Sequence, residues 1–308
     1  MSKPIFYCFN IIQIINLILT TQVKCSFQLQ MIILGEINQL KVLRETSIGL
    51  YLGDDSGQSV LLPQKYVPDN LKIDDFINVF VYLDGDERMI ATTLKPKVRL
   101  KQFAFLRVVQ VNNAGAFLDW GLEKHLLAPF REQAIRMEEQ KSYIVYLYLD
   151  DQSQRLAASS RVNDFLSNQN LSVKEKDEVE VMIWKRSDLG TNVIVNHKHR
   201  GLIYDSNLFK KVKPGDVFKA YVQKIREDNK LDIVLEKPGY ATVENQAEKL
   251  LQMLEKSGGF LPLNDKSDPN EIADKLEMSK KAFKKASGML YKQKKIELNE
   301  SGIYLKRQ

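Results

Sequence analysis

Three stretches of this chain repeat one another, and this repetition limits the possible fold more than any other feature of the sequence. The first copy contains G-L-Y-L, L-L-P and V-F-V-Y-L-D within residues 49–84, and the second contains G-A-F-L, L-A-P and V-Y-L-Y-L-D within residues 115–150. A weaker third copy, with G-T-N-V, G-L-I-Y and A-Y-V-Q-K-I, lies within residues 190–225. Because the copies recur about every 70 residues, we expect each to form a small domain of its own.

The second copy indicates most clearly which elements a repeat contains. Residues 103–111 read F-A-F-L-R-V-V-Q-V, a run of β-forming residues, and Asn112–Asn113 predicts a turn into a second strand. The other strands are expected at residues 116–120, 126–128, 143–150 and 155–159, with one or two helical turns in residues 130–137. Five short strands with a helical insert after the third predict an OB-fold barrel, whose second and third strands face oligonucleotides.

A glycine recurs where the second strand of each copy begins, at Gly49, Gly115 and Gly190. A glycine within a strand usually marks a β-bulge or a close approach of another backbone. In the third copy, Glu178–Lys185 is the expected first strand, and V-K-P-G-D at residues 212–216 leads into the fourth. The third copy therefore fits the same barrel plan.

The end of the chain predicts a different kind of domain. Residues 244–256 have apolar positions at helical spacing, Ser267–Pro269 opens a second helix, and Ser279 caps a third. Two short strands at residues 296–298 and 302–305 would follow as a hairpin. Three helices and a small hairpin predict a winged helix. The fold class is therefore mainly β with an α+β C-terminus: three tandem five-stranded OB barrels followed by a winged-helix domain.

These residues resemble a known family. G-A-F-L, the V-K-P-G-D-x-F segment and the L-D-D-Q-S-Q-R-L turn are similar to the ribosomal S1-type RNA-binding domain. Three such domains with the L-L-P variant, followed by a winged helix, resemble the conserved virulence factor B family of low-GC bacteria over about residues 31–307. The resemblance implies S1-type domains at residues 31–94, 95–161 and 173–238, a winged helix at residues 244–308, and a post-transcriptional influence on gene expression.

In S1-type domains the ring of the G-x-F motif faces the RNA, and single strands bind by stacking bases on such rings beside a basic track. That position holds Tyr51, Phe117 and Asn192 in the three copies. A second family position was assigned to Leu62, Ala128 and Tyr204, of which Tyr204 alone can stack. Because the platform is incomplete in every copy, we expect additive, multivalent binding.

Cations near these rings are candidate phosphate contacts. The family pairs an acid with a base four residues later, which predicts Asp84 with Arg88 and Asp151 with Arg155, and leaves Lys230 alone in the third copy. Exposed ion pairs of purely structural character are the alternative. Further candidates are basic residues between the barrels and in the third copy: Lys95, Lys97, Arg99, Lys101 and the run His197-Lys198-His199-Arg200. Trp120 is expected to pack inside its own barrel.

The net charge of +6 is concentrated at the C-terminus, where residues 271–308 contain ten Lys/Arg and five Asp/Glu. A basic end of this kind is an electrostatic footprint for nucleic acid. The third helix of a winged helix commonly reads a duplex groove, and its candidate phosphate contacts are Lys280, Lys281, Lys284, Lys285 and Lys292. Arginine and asparagine suited to base edges are scarce there, so sequence-specific reading of DNA is not expected. A solubilising face is the alternative.

The first thirty residues do not match the repeats. The apolar run Ile5–Leu19 is shorter than the ~20 residues that span a bilayer, and no small-residue cleavage site follows it. We expect residues 1–30 to lie outside the fold, either because Met31 is the functional start or as a poorly packed appendage. Both cysteines, Cys8 and Cys25, lie in this segment, so no disulfide framework is expected in the repeats, which suits a reducing cytoplasm without a membrane partner.

The sequence contains no paired-carboxylate, G-x-S-x-G, Walker or H-E-x-x-H motif, and His197 and His199 have no further ligand nearby for zinc. We therefore predict a cytoplasmic protein that is not an enzyme, needs no cofactor or metal, and binds single-stranded RNA with at most a mild pyrimidine preference. Two alternatives stay open: a DNA-binding regulator acting through the winged helix, and an adaptor that docks on ribosomes or another protein.

Overall fold

A computed structural model describes residues 31–54, 57–208, 211–235 and 243–306. The expectations about residues 1–30 lie outside this described part of the chain. The described residues fall into two compact units, one that ends at Lys95 and one that begins at Pro96.

The first unit contains barrel 1, which has five strands: β1 (Ile37–Thr46), β2 (Gly49–Gly53), β3 (Ser59–Pro63), β4 (Phe76–Leu83) and β5 (Met89–Thr92). Their order is β1-β2-β3-β5-β4, closed by antiparallel pairing of β1 with β4. Alternate residues of β1 and β3 point into one apolar core, in which Leu40, Val42 and Leu62 are almost completely buried, as a closed sheet with a solvated outer face requires. On β4, Val79 and Val81 belong to this core, and Phe80 and Tyr82 are buried as well.

Barrel 2 repeats this plan in the second unit with β6 (Phe103–Asn112), β7 (Gly115–Asp119), β8 (Leu126–Pro129), β9 (Ser142–Leu149) and β10 (Leu156–Ser159). The sheet order is β10-β9-β6-β7-β8, so this barrel is nearly closed. The helical insert after β8 is one short 3-10 turn, Phe130–Glu132, and is shorter than the sequence predicts. Trp120 is buried, and its indole Nε1 donates to the carbonyl oxygen of Lys124 at 2.5 Å, which confirms that it packs within its own barrel.

Barrel 3 is closed again and consists of β11 (Glu178–Ser187), β12 (Gly190–Val195), β13 (His199–Ile203), β14 (Val217–Ile225) and β15 (Leu231–Val234). The fold class predicted from the repeats, three OB barrels in series, is therefore confirmed.

The recurrent glycines are explained by a close approach of backbone. Gly49, Gly115 and Gly190 have φ of 142°, 151° and 140°, a region that side chains rarely adopt. A Cβ at these positions would lie 2.1–2.3 Å from a carbonyl oxygen of the neighbouring third strand. Of the two reasons the sequence offers for a strand glycine, close approach is the one observed.

The winged helix follows, with α1 (Val243–Lys256), β16 (Phe260–Leu261), α2 (Pro269–Leu276), α3 (Lys280–Lys292), β17 (Ile296–Asn299) and β18 (Gly302–Leu305). The Asp268 side chain accepts a hydrogen bond from the Asn270 amide, and the Ser279 hydroxyl accepts one from the Ala282 amide, so each caps its helix. The two-residue strand β16 pairs with β18 and was not predicted. One apolar core, centred on Leu250, Ile272 and Phe283, joins the helices to this small sheet.

Barrels 2 and 3 are joined by an apolar junction. Phe103 and Ile144 of barrel 2 pack with Met182 and Ile194 of barrel 3, in one cluster with residues of the connecting segment. The backbone amide of Phe103 donates to Nδ1 of His197 at 3.0 Å. The junction therefore fixes the two barrels relative to each other.

Two of the basic candidates belong to the packing around this junction, which corrects their assignment as phosphate contacts. His197 is mostly buried there, and His199 is buried, with Nδ1 2.6 Å from the carbonyl oxygen of Ser167 and Nε2 2.8 Å from the Ser172 hydroxyl. Arg200 donates to the carbonyl oxygen of Asn163 at 2.8 Å. His197, His199 and Arg200 thus make local hydrogen bonds to neighbouring segments, whereas Lys198 is exposed. The sequence alone did not place those segments.

Candidate nucleic-acid interface

The outer face of barrel 1 holds a ring between cations. Tyr51 on β2 is half-buried, and the guanidinium of Arg44 on β1 lies 4.3 Å from its ring centre. Tyr51 pairs directly with Arg44 on one side and with Leu61 of β3 on the other, so these three side chains share one face. An exposed face that offers a ring and a guanidinium together suits a stacked base beside a phosphate.

The β4–β5 hairpin of barrel 1 adds a second cation. Arg88 Nε and Nη2 donate to Oδ2 of Asp84 at 3.1 and 3.0 Å, and Nη2 also reaches Asp86 at 2.8 Å. Partial burial would raise the pKa of Asp84, but hydrogen bonds from the Arg88 backbone and guanidinium outweigh that effect and lower it. The acid is therefore ionised at neutral pH and holds Arg88 in place, as the sequence predicts for this pair.

Barrel 2 also has a ring at the G-x-F position, but the acid of its hairpin has different partners. Phe117 is half-buried and lies opposite Gln110 of β6 and Leu127 of β8. The acid equivalent to Asp84 is Asp150, because its amide bonds the carbonyl oxygen of Arg155 as the Asp84 amide bonds that of Arg88. The Asp150 carboxylate accepts from Ser153 and from Arg131, at 2.6 and 3.1 Å. The predicted pairing of Asp151 with Arg155 concerns the next residue of the turn and stays a prediction.

Barrel 3 places its groups differently. Asn192 stands where the other copies have a ring, and β12–β13 pairing places Ile203 opposite Thr191. Tyr204 is therefore the equivalent of Pro63 and Pro129, the last residues of the third strands in the other barrels, and not of Leu62 and Ala128. The alignment of this second family position was wrong by one residue. Leu62 and Ala128 are completely buried because they belong to the barrel cores.

Tyr204 takes part in a network that the sequence did not predict. Its ring is half-buried and its hydroxyl accepts from Nη2 of Arg226, whose Nε bonds both carboxylate oxygens of Asp232 at 3.1 Å. Arg226 occupies the position of Asp84 and Lys230 that of Arg88, so a base replaces the hairpin acid in this copy, and its carboxylate partner is Asp232, two residues beyond Lys230. Lys230, expected to stand alone, lies 2.6 Å from Asp228.

A tryptophan next to Asn192 supplies the missing ring. The register between β11 and β12 shifts between Ile183 and Lys185, so Trp184 is the extra residue of a β-bulge and lies beside Lys185, the partner of Asn192. The Lys185 ammonium is 4.5 Å from the Trp184 ring centre. Sequence reasoning missed Trp184 because a bulge cannot be located by alternation; a W-K pair three residues before the β11–β12 turn is the signal that was available.

The remaining predicted cations differ in their exposure and in whether a neighbouring acid or carbonyl oxygen contacts them. Lys97 Nζ donates to Asp119 at 2.6 Å, which lowers the pKa of that carboxyl, and Arg99 is half-buried, near enough to His197 to act on its pKa. In the winged helix, Lys280 Nζ donates to the carbonyl oxygen of Ser267 at 2.8 Å, and Lys284 lies 3.9 Å from Asp265. A stripe of exposed lysines runs along one side of α3, formed by Lys281, Lys285 and Lys292.

Comparison with known proteins supports the architecture. Residues 34–94 match the S1 domain, and residues 248–305 match the CvfB-like winged helix domain. The chain is 24% identical over 282 residues to conserved virulence factor B of Staphylococcus epidermidis, covering 89% of this chain and 95% of the relative. The chain is similar to conserved virulence factor B over most of its length.

Two further proteins match a similar share of the chain. The uncharacterized protein YitL of Bacillus subtilis is 26% identical over 281 residues, covering 89% of this chain and 94% of the relative. A crystal structure of a multidomain protein with nucleic acid binding domains from Streptococcus pneumoniae is 25% identical, covers 89% of this chain and 98% of that chain, and has a TM-score of 0.40. The sequence relatives and the two family matches confirm the resemblance to the conserved virulence factor B family.

The matched families are nucleic-acid-binding domains and not catalytic ones. Within the part of the chain that the structure describes, no helix is both long and apolar enough to cross a bilayer. The same residues contain no group of three His, Cys, Asp or Glu side chains that could hold a metal ion.

Proposed function

We propose that this protein is a non-enzymatic RNA-binding protein of the cytoplasm, which holds single-stranded RNA on the outer faces of its barrels and influences gene expression post-transcriptionally. The observation that supports this best is the grouping of Tyr51 between Arg44 and Leu61 on barrel 1, with Arg88 on the neighbouring hairpin. A duplex hides the faces of its bases, whereas an unpaired strand offers them for stacking on such a ring.

The energetics favour several weak contacts over one strong one. A base stacked on an aromatic side chain contributes about 1–3 kcal/mol, and each barrel offers few rings: Tyr51 in barrel 1, Phe117 in barrel 2, Trp184 and Tyr204 in barrel 3. A strand that contacts several barrels gains from the high effective concentration of the second and third sites. Phosphates would contact Arg88, Arg155 and Lys230 at the hairpins and Lys97 and Arg99 ahead of barrel 2.

A matched pair of titrations tests this function. Full-length protein is titrated with a fluorescently labelled single-stranded RNA of about 20 nucleotides and with duplex DNA of the same length, at fixed salt. We expect the single strand to bind more tightly, and Tyr51→Ala with Phe117→Ala to weaken it. Equal or tighter binding of duplex DNA, unaffected by these two changes, would contradict the proposal.

The stripe of exposed lysines on α3 supports a second candidate, in which the winged helix contacts duplex nucleic acid. Lys281, Lys285 and Lys292 flank Gly288 on that helix, and a Cβ at Gly288 would meet no other atom within 4 Å. If these lysines contact phosphates, Lys281→Ala with Lys285→Ala should lower the slope of log affinity against log salt by about 2. Lys280→Ala is the control, because that ammonium is bonded to a backbone carbonyl.

A further inference from the structure

A cleft lies where barrel 2 meets barrel 3, outside the ring positions of the second strands. Its volume is about 740 Å³, within the range of about 300–1,000 Å³ typical of ligand sites. Barrel 2 contributes Phe105 and Tyr143, and barrel 3 contributes Trp184, Lys185 and Pro214. The site exists because the two barrels are docked, so neither barrel forms it alone.

The lining combines rings with positive charge. The charged residues are Arg131, Arg161, Lys185 and Asp164, so three cations face one carboxylate. Arg161 lies 2.8 Å from Asp164, and Arg131 lies 3.1 Å from Asp150, yet both guanidinium side chains are more than half exposed. A cleft with an aromatic wall and a surplus of exposed cations complements an anion that carries a flat ring.

The cleft is held open by rigid contacts. The Phe105 ring packs on the backbone of Gly215, where a Cβ would lie 2.4 Å from the ring. Gly215 and Asp216 are fixed in turn by backbone hydrogen bonds with Ile183, at 2.8 and 2.9 Å. Trp184 packs on the edge of the apolar junction and keeps part of its ring accessible. The backbone of these walls is therefore held in place before a ligand binds.

The cleft is also continuous with the outer face of barrel 3. Lys185 lines the cleft and lies directly opposite Asn192 on β12. A strand that crosses β12 therefore reaches the cleft without leaving the surface, and Trp184 is the first ring on that path.

We propose that this junction cleft binds one unpaired nucleotide of the RNA strand, with the base stacked on Trp184 and its phosphate contacted by Lys185 and Arg161. The inference rests on the RNA-binding function proposed above and adds a base site shared by two barrels. It explains how barrel 3 retains a stacking ring although Asn192 replaces the ring of its second strand. An unpaired base is required, because a base within a duplex cannot leave its stack at no cost to enter a recess.

The two tryptophans of the chain allow a direct test, since Trp120 is buried and Trp184 is accessible. Full-length protein is titrated with oligouridylate while tryptophan emission and the anisotropy of the labelled strand are both followed. We expect quenching of emission to saturate together with anisotropy. In Trp184→Phe protein we expect the strand to bind and most of the quenching to disappear. Trp184→Ala and Lys185→Ala should each weaken binding, the former by roughly 10-fold.

The control is Lys174→Ala, which removes an exposed lysine of the segment leading into β11, outside the cleft, and should leave affinity within about 2-fold. If the strand binds by anisotropy while wild-type emission stays constant and Lys185→Ala binds like Lys174→Ala, the cleft is not a base site and the proposed function stands. If oligouridylate and mixed-sequence RNA do not bind at all, the proposed function fails and this site with it.

Discussion

Barrels 1 and 3 share one strand order and one glycine, but they hold different chemistry on the face where a strand of RNA would lie. Barrel 1 has its ring at the centre, as Tyr51 beneath Arg44, and an acid on the hairpin that fixes Arg88. Barrel 3 has Asn192 at the centre and its rings at Trp184 and Tyr204, and Arg226 replaces the hairpin acid and pairs with Asp232. The backbone of this fold is therefore fixed by a few steric requirements, whereas the positions of the rings and charged groups differ between the two barrels.

The largest expected effect is on stability, and it concerns the glycine that begins the second strand in both barrels. Gly190→Ala forces a side chain into a φ of 140° and places a Cβ 2.3 Å from the Ile203 carbonyl oxygen. We expect it to lower the free energy of unfolding by roughly 3 kcal/mol or more, measured by urea denaturation. Gly85→Ala is the control, because nothing lies within 4 Å of its Cβ. Equal stability of the two variants would show that the close approach is not required.

The next largest effect is on RNA affinity, and it distinguishes the outer faces of barrels 1 and 3 by the residue at the G-x-F position. Tyr51→Ala removes the ring of barrel 1 and should weaken binding of single-stranded RNA by roughly 10-fold, the equivalent of about 1–3 kcal/mol. Asn192→Ala changes the matching position of barrel 3, where no ring is lost, and should change affinity by less than about 2-fold. Fluorescence anisotropy measures both. A larger loss for Asn192→Ala than for Tyr51→Ala would reverse the comparison.

The different ion pairs of the two hairpins predict opposite consequences for two arginines. Arg226→Ala leaves the nearly buried carboxylate of Asp232 without its bidentate partner, so we expect the free energy of unfolding to fall by about 1–3 kcal/mol. Arg88→Ala removes an exposed guanidinium, and we expect weaker RNA binding with a nearly unchanged melting temperature. Thermal melts and RNA titrations of both variants test this difference. Equal losses of stability for Arg226→Ala and Arg88→Ala would contradict the prediction.

The smallest effect is a pH dependence confined to the junction of barrels 2 and 3. Burial lowers the pKa of His197, the Glu180 charge raises it less, and the Arg99 charge lowers it further. A histidine whose pKa is lower in the folded state is stabilising while neutral, so this stability is present above about pH 6.5 and declines as the pH falls towards the folded-state pKa. We expect His197→Gln to show a smaller loss of melting temperature between pH 7.5 and pH 5 than the wild type. An identical loss would rule out this residue as the cause.

The sequence predicted the parts of the fold that depend on local chemistry. The three glycines, the Ser279 cap and the alternation of the long strands each follow from a steric or hydrogen-bonding need that the residues themselves reveal. The two-residue strand β16 was missed because it is too short for any periodicity.

The candidate site was less predictable because it depends on register. A shift of one residue moves a side chain to the other face of a strand, which is why Tyr204 was matched with the core residues Leu62 and Ala128 rather than with Pro63 and Pro129. Trp184 was missed because its bulge interrupts the alternation. The Arg226–Asp232 pair spans six residues and so escaped a search for pairs four residues apart.

The central claim is that unpaired RNA lies on the outer face of the second strands. Ultraviolet cross-linking of full-length protein to oligouridylate, followed by mass spectrometry of the attached peptides, tests it most directly. We expect cross-links at Tyr51 and Phe117, and little at Phe76, an exposed ring of β4 that is paired with Lys41 of β1 and not with the second strand. Cross-links at Phe76 or elsewhere in place of Tyr51 and Phe117 would contradict the account.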